Sequence, residues 1–514
     1  MGKNNFESTI AEGYQHKGES LIMGGAMMDG TTIPELFVRA PLSMFNRHGM
    51  ISGATGTGKT KSLQVLSEHL SHHGVPSLIM DIKGDLSGLA RPGKDHPKID
   101  ERQSAIGLPF YPKGFPIEFM TLSGQDGIKL RATLTEFGPV LFSKILDLNG
   151  TQTSIVAIIF KYCDDNKLPL IDLRDFKKTL TWMTTDGKDA VEKEYGRIHS
   201  ASVGAIIRKM IALEQQGADI FFGEPSYEVA DLCRTDPDGR GVISILRLMD
   251  LMDRPQLFAT FMLQMLAEIF SSFPEEGDLE KPKLMIFIDE AHLIFDNASK
   301  ELLNQIETTV KLIRSKGVGV FFITQNPVDV PDSVLSQLGM KVQHALRAFT
   351  ARDRKAIRLA AQNFPETEFY DVADLLTKLG TGEALVTVLN EKGRPTPLVR
   401  TMMRAPESRM DVLSPAEIKD VIDQSVLAPK YAQDINRESA YEILAEKMAE
   451  AAHEEIKEEK KKQYKKPTPT YFEKTVDQVT RQLTRDISRE ISRGLLGVLG
   501  LGNKRSKKSR GWFF

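Results

Sequence analysis

Gly49-Met50-Ile51-Ser52-Gly53-Ala54-Thr55-Gly56-Thr57-Gly58-Lys59-Thr60 is the stretch from which the rest of the chain can be read. Residues 53–60 fit GxxxxGK[ST]; they follow the short strand-like run Gly49 to Ser52 and open a helical segment, Lys59 to His72, that stops before Gly74. A strand, a glycine-rich turn and a helix in that order give the pattern its mechanism. The glycines let backbone N–H groups curl around phosphate oxygens, and the helix N-terminus adds its positive dipole end. Gly53, Ala54, Thr55, Gly56, Thr57, Gly58, Lys59, Thr60 and Lys61 are therefore the candidate nucleotide-binding residues. Lys59 is expected to reach the β and γ phosphates as a point charge, and Thr60 to offer its hydroxyl to Mg²⁺; the expected cofactors are ATP and Mg²⁺.

A phosphate cradle of this kind needs a carboxylate at the end of a neighbouring buried strand, and Leu284-Met285-Ile286-Phe287-Ile288-Asp289-Glu290 supplies two. Asp289 is the expected metal ligand, directly or through water, and Glu290 the group that orients and deprotonates an attacking water. The apolar run Val318 to Ile323 ends in Thr324-Gln325-Asn326-Pro327, placing the Gln325 amide at another strand tip, where it bridges the γ-phosphate or the water to the core. Asp81 closes the strand Val75 to Asp81, and either touches the metal site or simply ends the strand.

Further out, strands alternate with helices, which predicts an α/β fold with a mostly parallel sheet. Residues 1–45 read as a small N-terminal β element, Leu21 to Met28 and Thr31 to Val38 flanking an Asp29-Gly30 turn. Residues 46–127 read as the first part of the ATPase core. Residues 128–228 carry helical periodicity and read as a helical insertion. Residues 229–410 resume the core, with strands at 241–246, 284–288, 318–324 and roughly 341–349, and helices at about 255–270 and 300–316. Residues 411–470 are a charged helical linker region. Residues 471–514 form an amphipathic basic tail, with Val476, Val479, Leu483, Ile487, Ile491 and Leu495 on one row and Arg481, Arg485, Arg489 and Arg493 on another. That tail docks on the protein's own assembly, grips phosphate backbones, lies on an anionic surface, or serves only as a solubilising end.

Composition narrows the class. Among 514 residues, 67 Lys plus Arg oppose 69 Asp plus Glu, which excludes a histone-like polycation. At 41% hydrophobic and 26% charged, neither wholesale disorder nor a membrane bundle fits. Cys163 and Cys233 are too few for a disulfide framework or a four-ligand zinc site, so a reducing cytoplasm is the expected setting. The apolar runs have buried-strand length, so no integral membrane association is expected.

The string Asp289-Glu290-Ala291-His292 invites comparison with DEAH-box helicases, but the second RecA-like lobe those require has no counterpart here. The ordered set Asn46 to Thr60, the Asp81 strand, Ile288-Asp289-Glu290-Ala291-His292, Arg314-Ser315-Lys316-Gly317-Val318-Gly319 and Ile323-Thr324-Gln325-Asn326-Pro327 instead resembles the HerA/FtsK superfamily of ring ATPases. It is most similar to the bacterial HerA-like ATPases of the YjgR type, over about residues 40 to 400. The resemblance implies a RecA-like core, a homo-oligomer with a hexamer favoured, and double-stranded DNA as the polymer, with a nuclease or another protein as a further partner. It also implies an arginine after the Gln strand acting at the nucleotide site. Arg347 is the nearest match, Gln343 or Lys341 take the place under another register, and Arg208 is a weaker candidate for a contact across subunits. Two family features are missing or reduced: the full N-terminal barrel of HerA and the membrane anchor of FtsK. The expected activity is Mg²⁺-dependent ATP hydrolysis driving movement on double-stranded DNA. The alternatives are an ATP-driven protein-remodelling or scaffold ring, and a nucleotide-gated binding module with little turnover.

Overall fold

Continuous apolar runs, with no polar alternation, become the centre of a sheet whose two faces are both covered. In the computed structural model, which describes residues 3–463 except 253, 278, 298, 299, 434 and 436, the strands are β1 (Ser20–Met28), β2 (Thr31–Pro41), β3 (Gly49–Ser52), β4 (Ser77–Asp81), β5 (Ile117–Thr121), β6 (Ile128–Lys129), β7 (Ile243–Arg247), β8 (Leu284–Ile288), β9 (Val318–Thr324), β10 (Met340–Gln343), β11 (Glu383–Thr387) and β12 (Val399–Met403). They form one 12-stranded sheet in the order β2-β1-β12-β11-β10-β3-β9-β8-β4-β7-β5-β6. From β10 to β6 every pairing is parallel; from β10 back to β2 every pairing is antiparallel. The architecture is mixed α/β with a mostly parallel sheet.

Period-two alternation sorts each central strand between two cores. Leu284, Ile286 and Ile288 of β8 and Val318, Val320 and Phe322 of β9 face one cluster; Met285, Phe287, Phe321 and Ile323 face the other. The first cluster is covered by the helices Pro255–Ser272 and Lys300–Ile313 and by the helices of residues 134–215, with Phe221 edge-on to Phe261 at 4.9 Å. The second is covered by α1 (Lys3–Gly13), which inserts Phe6 and Ile10, and by α2 (Lys59–His72), which inserts Leu63, Leu66 and Leu70. The helical stretch of 128–228 thus shares its core with the sheet, and its first residues, Ile128–Lys129, are the edge strand β6. Residues Met1–Ala445 form one compact unit, and beyond it Glu446 to Gln463 are helical. Among the described residues no helix is long and apolar enough to cross a membrane.

Three expectations change. The hairpin at 20–41 turns through Asp29 and Gly30, both with positive φ, as its sequence predicts, but it extends the main sheet through β1–β12 pairing, Gly24 opposite Met403, rather than standing as an element of its own. The strand expected to run to Phe349 ends at Gln343, because His344 turns inward to bond Ser62 and Glu383. Finally, β5, β6, β11 and β12 enter the sheet from segments without a strong strand pattern. The tail expected at 471–514, with its apolar and arginine rows, lies outside the described residues.

Candidate functional site

The loop between β3 and α2 lies at the carboxyl end of the parallel strands, the edge at which open α/β sheets place their ligands. Gly53, Gly56 and Gly58 take φ values of +148°, +77° and +122°, and a Cβ on Gly53 would meet His344 Cβ at 2.6 Å. Only glycine suits the first of these positions. Lys59 Nζ curls back to donate to the carbonyl of Gly53 at 2.6 Å and of Ala54 at 3.2 Å. Burial lowers the Lys59 pKa and Lys83 adds to this, while Glu290, Asp289 and Asp85 oppose it. Thr60 Oγ1, one residue on, donates to Asp85 at 3.2 Å.

Asp289 and Glu290 follow β8 and are both buried. Burial pushes the Asp289 carboxyl up to about 7; nearby Lys83 works against the rise, and Glu290 and Asp81 add to it. Glu290 has a left-handed backbone, φ +48°, uncommon outside glycine and a strained geometry of the kind found at working sites. Lys83 Nζ pairs with Glu290 Oε1 and lies 3.9 Å from Asp289 Oδ2, while His292 Nδ1 is 3.0 Å from Glu290 Oε2. Asp81 is committed to its own turn, accepting from the Gly84 N–H at 2.7 Å and the Leu86 N–H at 3.3 Å. Of the two readings of Asp81, its hydrogen bonds favour the strand end; its charge still reaches Asp289.

Gln325 is exposed at the tip of β9, immediately after Thr324, whose carbonyl accepts the Gly53 N–H at 3.3 Å. Arg347 is exposed on the segment after β10, two residues beyond Ala345, whose carbonyl accepts the Ala54 N–H at 2.8 Å. It stands on a loop rather than a strand. Lys61 reaches away from the glycine loop to the Met410 carbonyl at 2.5 Å. Gln343 is buried, accepting from Ser52 Oγ at 2.7 Å, and Lys341 bonds the Asn363 carbonyl toward the opposite strand end, so neither is placed as a mobile arginine substitute. Arg208 is exposed on the helix Ser200–Gln215.

Two supports had no signal in the sequence. His344 donates from Nδ1 to the Glu383 carbonyl at 2.8 Å, so its Nε2 accepts from Ser62 Oγ at 2.8 Å; burial pushes its pKa down to about 4 and keeps it neutral beneath the loop. Gly382 N–H donates to the Thr57 carbonyl at 2.9 Å, and Arg102 clamps the carbonyls of Thr381, Gly382 and Met403.

The residues fit a nucleotide with a divalent cation. The cradle needs glycine where a Cβ would collide, and Thr60 and Asp289 offer a hydroxyl and a carboxylate. Among the described residues no group of three or more His, Cys, Asp or Glu is arranged to hold a metal, so a cation held by Thr60 and Asp289 would need its remaining ligands from outside this set. This loop, acidic strand and sheet order coincide with a match to the family model described as Helicase HerA-like C-terminal, over residues 29–506. The chain belongs to that HerA-like family. Among curated HerA-like relatives, it is 23% identical over 363 residues to the DNA double-strand break repair helicase HerA of Sulfolobus acidocaldarius, and 24% identical over 362 residues to that of Sulfurisphaera tokodaii. Each alignment covers 68% of this chain and 64% of the relative, so the chain spans less than two thirds of their length. The HerA-like fold also matches the bacterial conjugative coupling protein TrwB. The unbound form aligns with a TM-score of 0.52 at 15% identity, covering 79% of this chain and 95% of that one. The form in complex with a non-hydrolysable ATP analogue aligns at 0.51 and 15%, covering 80% and 96%.

Proposed function

We propose that the protein is a Mg²⁺-dependent ATP hydrolase that works as an oligomeric ring motor on double-stranded DNA. The observation that carries the hydrolase reading is the meeting, at one edge of the sheet, of the Gly53–Thr60 loop with the buried Asp289-Glu290 pair, two segments more than 200 residues apart in the chain. Lys59 and the loop N–H groups bind the phosphates, and Thr60 and Asp289 hold Mg²⁺, whose role when bound is to neutralise charge on the transferring phosphoryl group. Glu290 takes the proton of the attacking water, and Gln325 positions that water. Arg347 acts at a neighbouring subunit's nucleotide. What supports this is its exposure on the loop after β10, two residues beyond the Ala345 carbonyl that accepts the Ala54 N–H of the nucleotide loop. DNA is supported by the helix Ala351–Gln362, whose exposed arc carries Arg352, Arg354, Lys355 and Arg358, and by the HerA relatives' names.

Lys59→Ala is expected to abolish nucleotide binding. Glu290→Gln is expected to retain bound ATP and stop turnover, because it removes a base without removing a phosphate contact. Turnover near wild type in Glu290→Gln would take that residue out of the mechanism. ATPase stimulated by double-stranded DNA, with log affinity falling by about 0.9 per neutralised phosphate per log unit of salt, is expected for a DNA motor. DNA-independent turnover that responds to a protein partner would favour the remodelling ring.

A further inference from the structure

The proposed base is held shut. Glu290 has Lys83 on one carboxylate oxygen and His292 on the other, and it is nearly fully buried. With so little of the carboxylate exposed and an ammonium against one oxygen, burial and the Lys83 ion pair are what stand between it and a water. Its backbone, meanwhile, is pinned: the Glu290 carbonyl accepts the Leu293 N–H at 2.9 Å, and the next residue's N–H bonds the Ile323 carbonyl at 2.9 Å. Freeing the carboxylate therefore falls to the groups that cover it. Lys83 is the one with a reason to move. Its side chain is 34% exposed, and it lies 3.9 Å from Asp289, the proposed cation ligand. It also shares the site with a second ammonium, Lys59. The turn that carries it is tied at three points: Asp81 accepts from the Gly84 and Leu86 N–H groups, and Thr60, in the first turn of α2, donates to Asp85. Lys83 thus sits on a fixed base with a long side chain of several rotatable bonds, and the anchors of that base include a nucleotide-loop residue.

We infer that Lys83 is a γ-phosphate-responsive latch: it pairs with Glu290 until a terminal phosphate in the Lys59 cradle offers a stronger anionic partner, and its transfer to that phosphate uncovers the base. This rests on the nucleotide reading above. A divalent cation at Asp289 acts in the same direction, since it repels an ammonium that stands within ion-pairing distance of the same carboxylate. A nucleoside diphosphate lacks the phosphate that draws Lys83 away, so the product state keeps Glu290 covered. The latch is a positioning element: it governs when Glu290 is available and takes no part in the proton transfer.

Calorimetric titration of the full chain with Mg²⁺ and either ADP or a non-hydrolysable ATP analogue tests it. Lys83→Met is expected to weaken the ATP analogue by roughly ten- to a hundredfold, the span of one charge-assisted contact to phosphate, and to leave ADP affinity within about twofold. Lys83→Arg is expected to retain the preference for the triphosphate. Lys83→Gln, polar, uncharged and one atom shorter than lysine, is expected to behave like Lys83→Met and serves where the methionine variant does not fold. Equal weakening of both nucleotides, or an unchanged ratio, overturns the latch. Lys59→Ala separates the two ideas. If it loses both nucleotides while Lys83→Met leaves the ratio unchanged, only the latch fails; if it binds like wild type, the nucleotide reading falls and the latch with it.

Discussion

Gly53 shows what single residues contribute. Its φ of +148° sends the chain out of β3 and over His344, and its carbonyl receives the Lys59 ammonium. A methyl group there meets His344 Cβ at 2.6 Å and Thr57 Oγ1 at 3.0 Å, and a left-handed backbone is strained for any other residue. Gly53→Ala is therefore expected to cost about 1–3 kcal/mol of stability and to weaken nucleotide binding, as read by chemical denaturation and titration. Stability within about 0.5 kcal/mol of wild type, with affinity unchanged, would show that the loop is not set by this contact.

At the scale of elements, α2 is a two-faced connector. One face buries Leu63, Leu66 and Leu70 against the sheet. The other carries Lys61, Gln64, Glu68 and His72, at helical spacing, onto the segment that follows β12. Gln64 donates to Ser408 Oγ and to the Arg409 carbonyl, His72 meets Glu407 at 3.0 Å, and Glu68 accepts the backbone N–H groups of Glu407 and Ser408 at 2.8 and 3.0 Å. Burial pushes the Glu68 carboxyl up to about 7, although Ser408 and the two backbone donors pull the other way. A carboxyl raised in the folded state binds its proton more tightly there than in the unfolded chain. Its contribution to stability is thus full below the unfolded pKa of about 4.5 and is lost as pH rises toward 7. Glu68→Gln should flatten the pH dependence of the denaturation midpoint between about pH 4.5 and 7. An unchanged slope in the variant would place the titration elsewhere.

For the whole molecule, the proposed ring makes a prediction that no single-subunit mechanism shares. Arg347→Ala should cost as much as about 10³-fold in turnover, the scale of an arginine acting across a boundary. Inactive Glu290→Gln subunits mixed into wild type should then depress activity beyond their mole fraction. A strictly proportional loss, with a monomeric mass in solution, would overturn the ring.

Much of the site is local and so is legible in the chain. The Gly53–Thr60 string contains its own turn chemistry and helix start, and the apolar runs before Asp289 and Gln325 announce buried strands by composition. By itself, the sequence determined the glycine loop, the acidic strand end, the parallel α/β class and the hairpin at Asp29-Gly30. What surrounds the loop was decided only by tertiary structure. His344 reads as an ordinary residue at the end of a strand, and its partner Ser62 is 282 positions away. Arg102 reaches carbonyls 279 to 301 positions along the chain, and Glu68 holds a segment about 340 positions away. Lys83 looks like a surface lysine in a turn until the fold brings β8 beside β4. β11 and β12 become strands through antiparallel pairing with β10 and β1 rather than through a strong pattern of their own. The physical reason is common to all of these. Backbone geometry and helix or strand periodicity are written over a few neighbouring residues, whereas a buried polar group is placed by whichever distant donor or acceptor satisfies it, and only the assembled fold specifies which one that is.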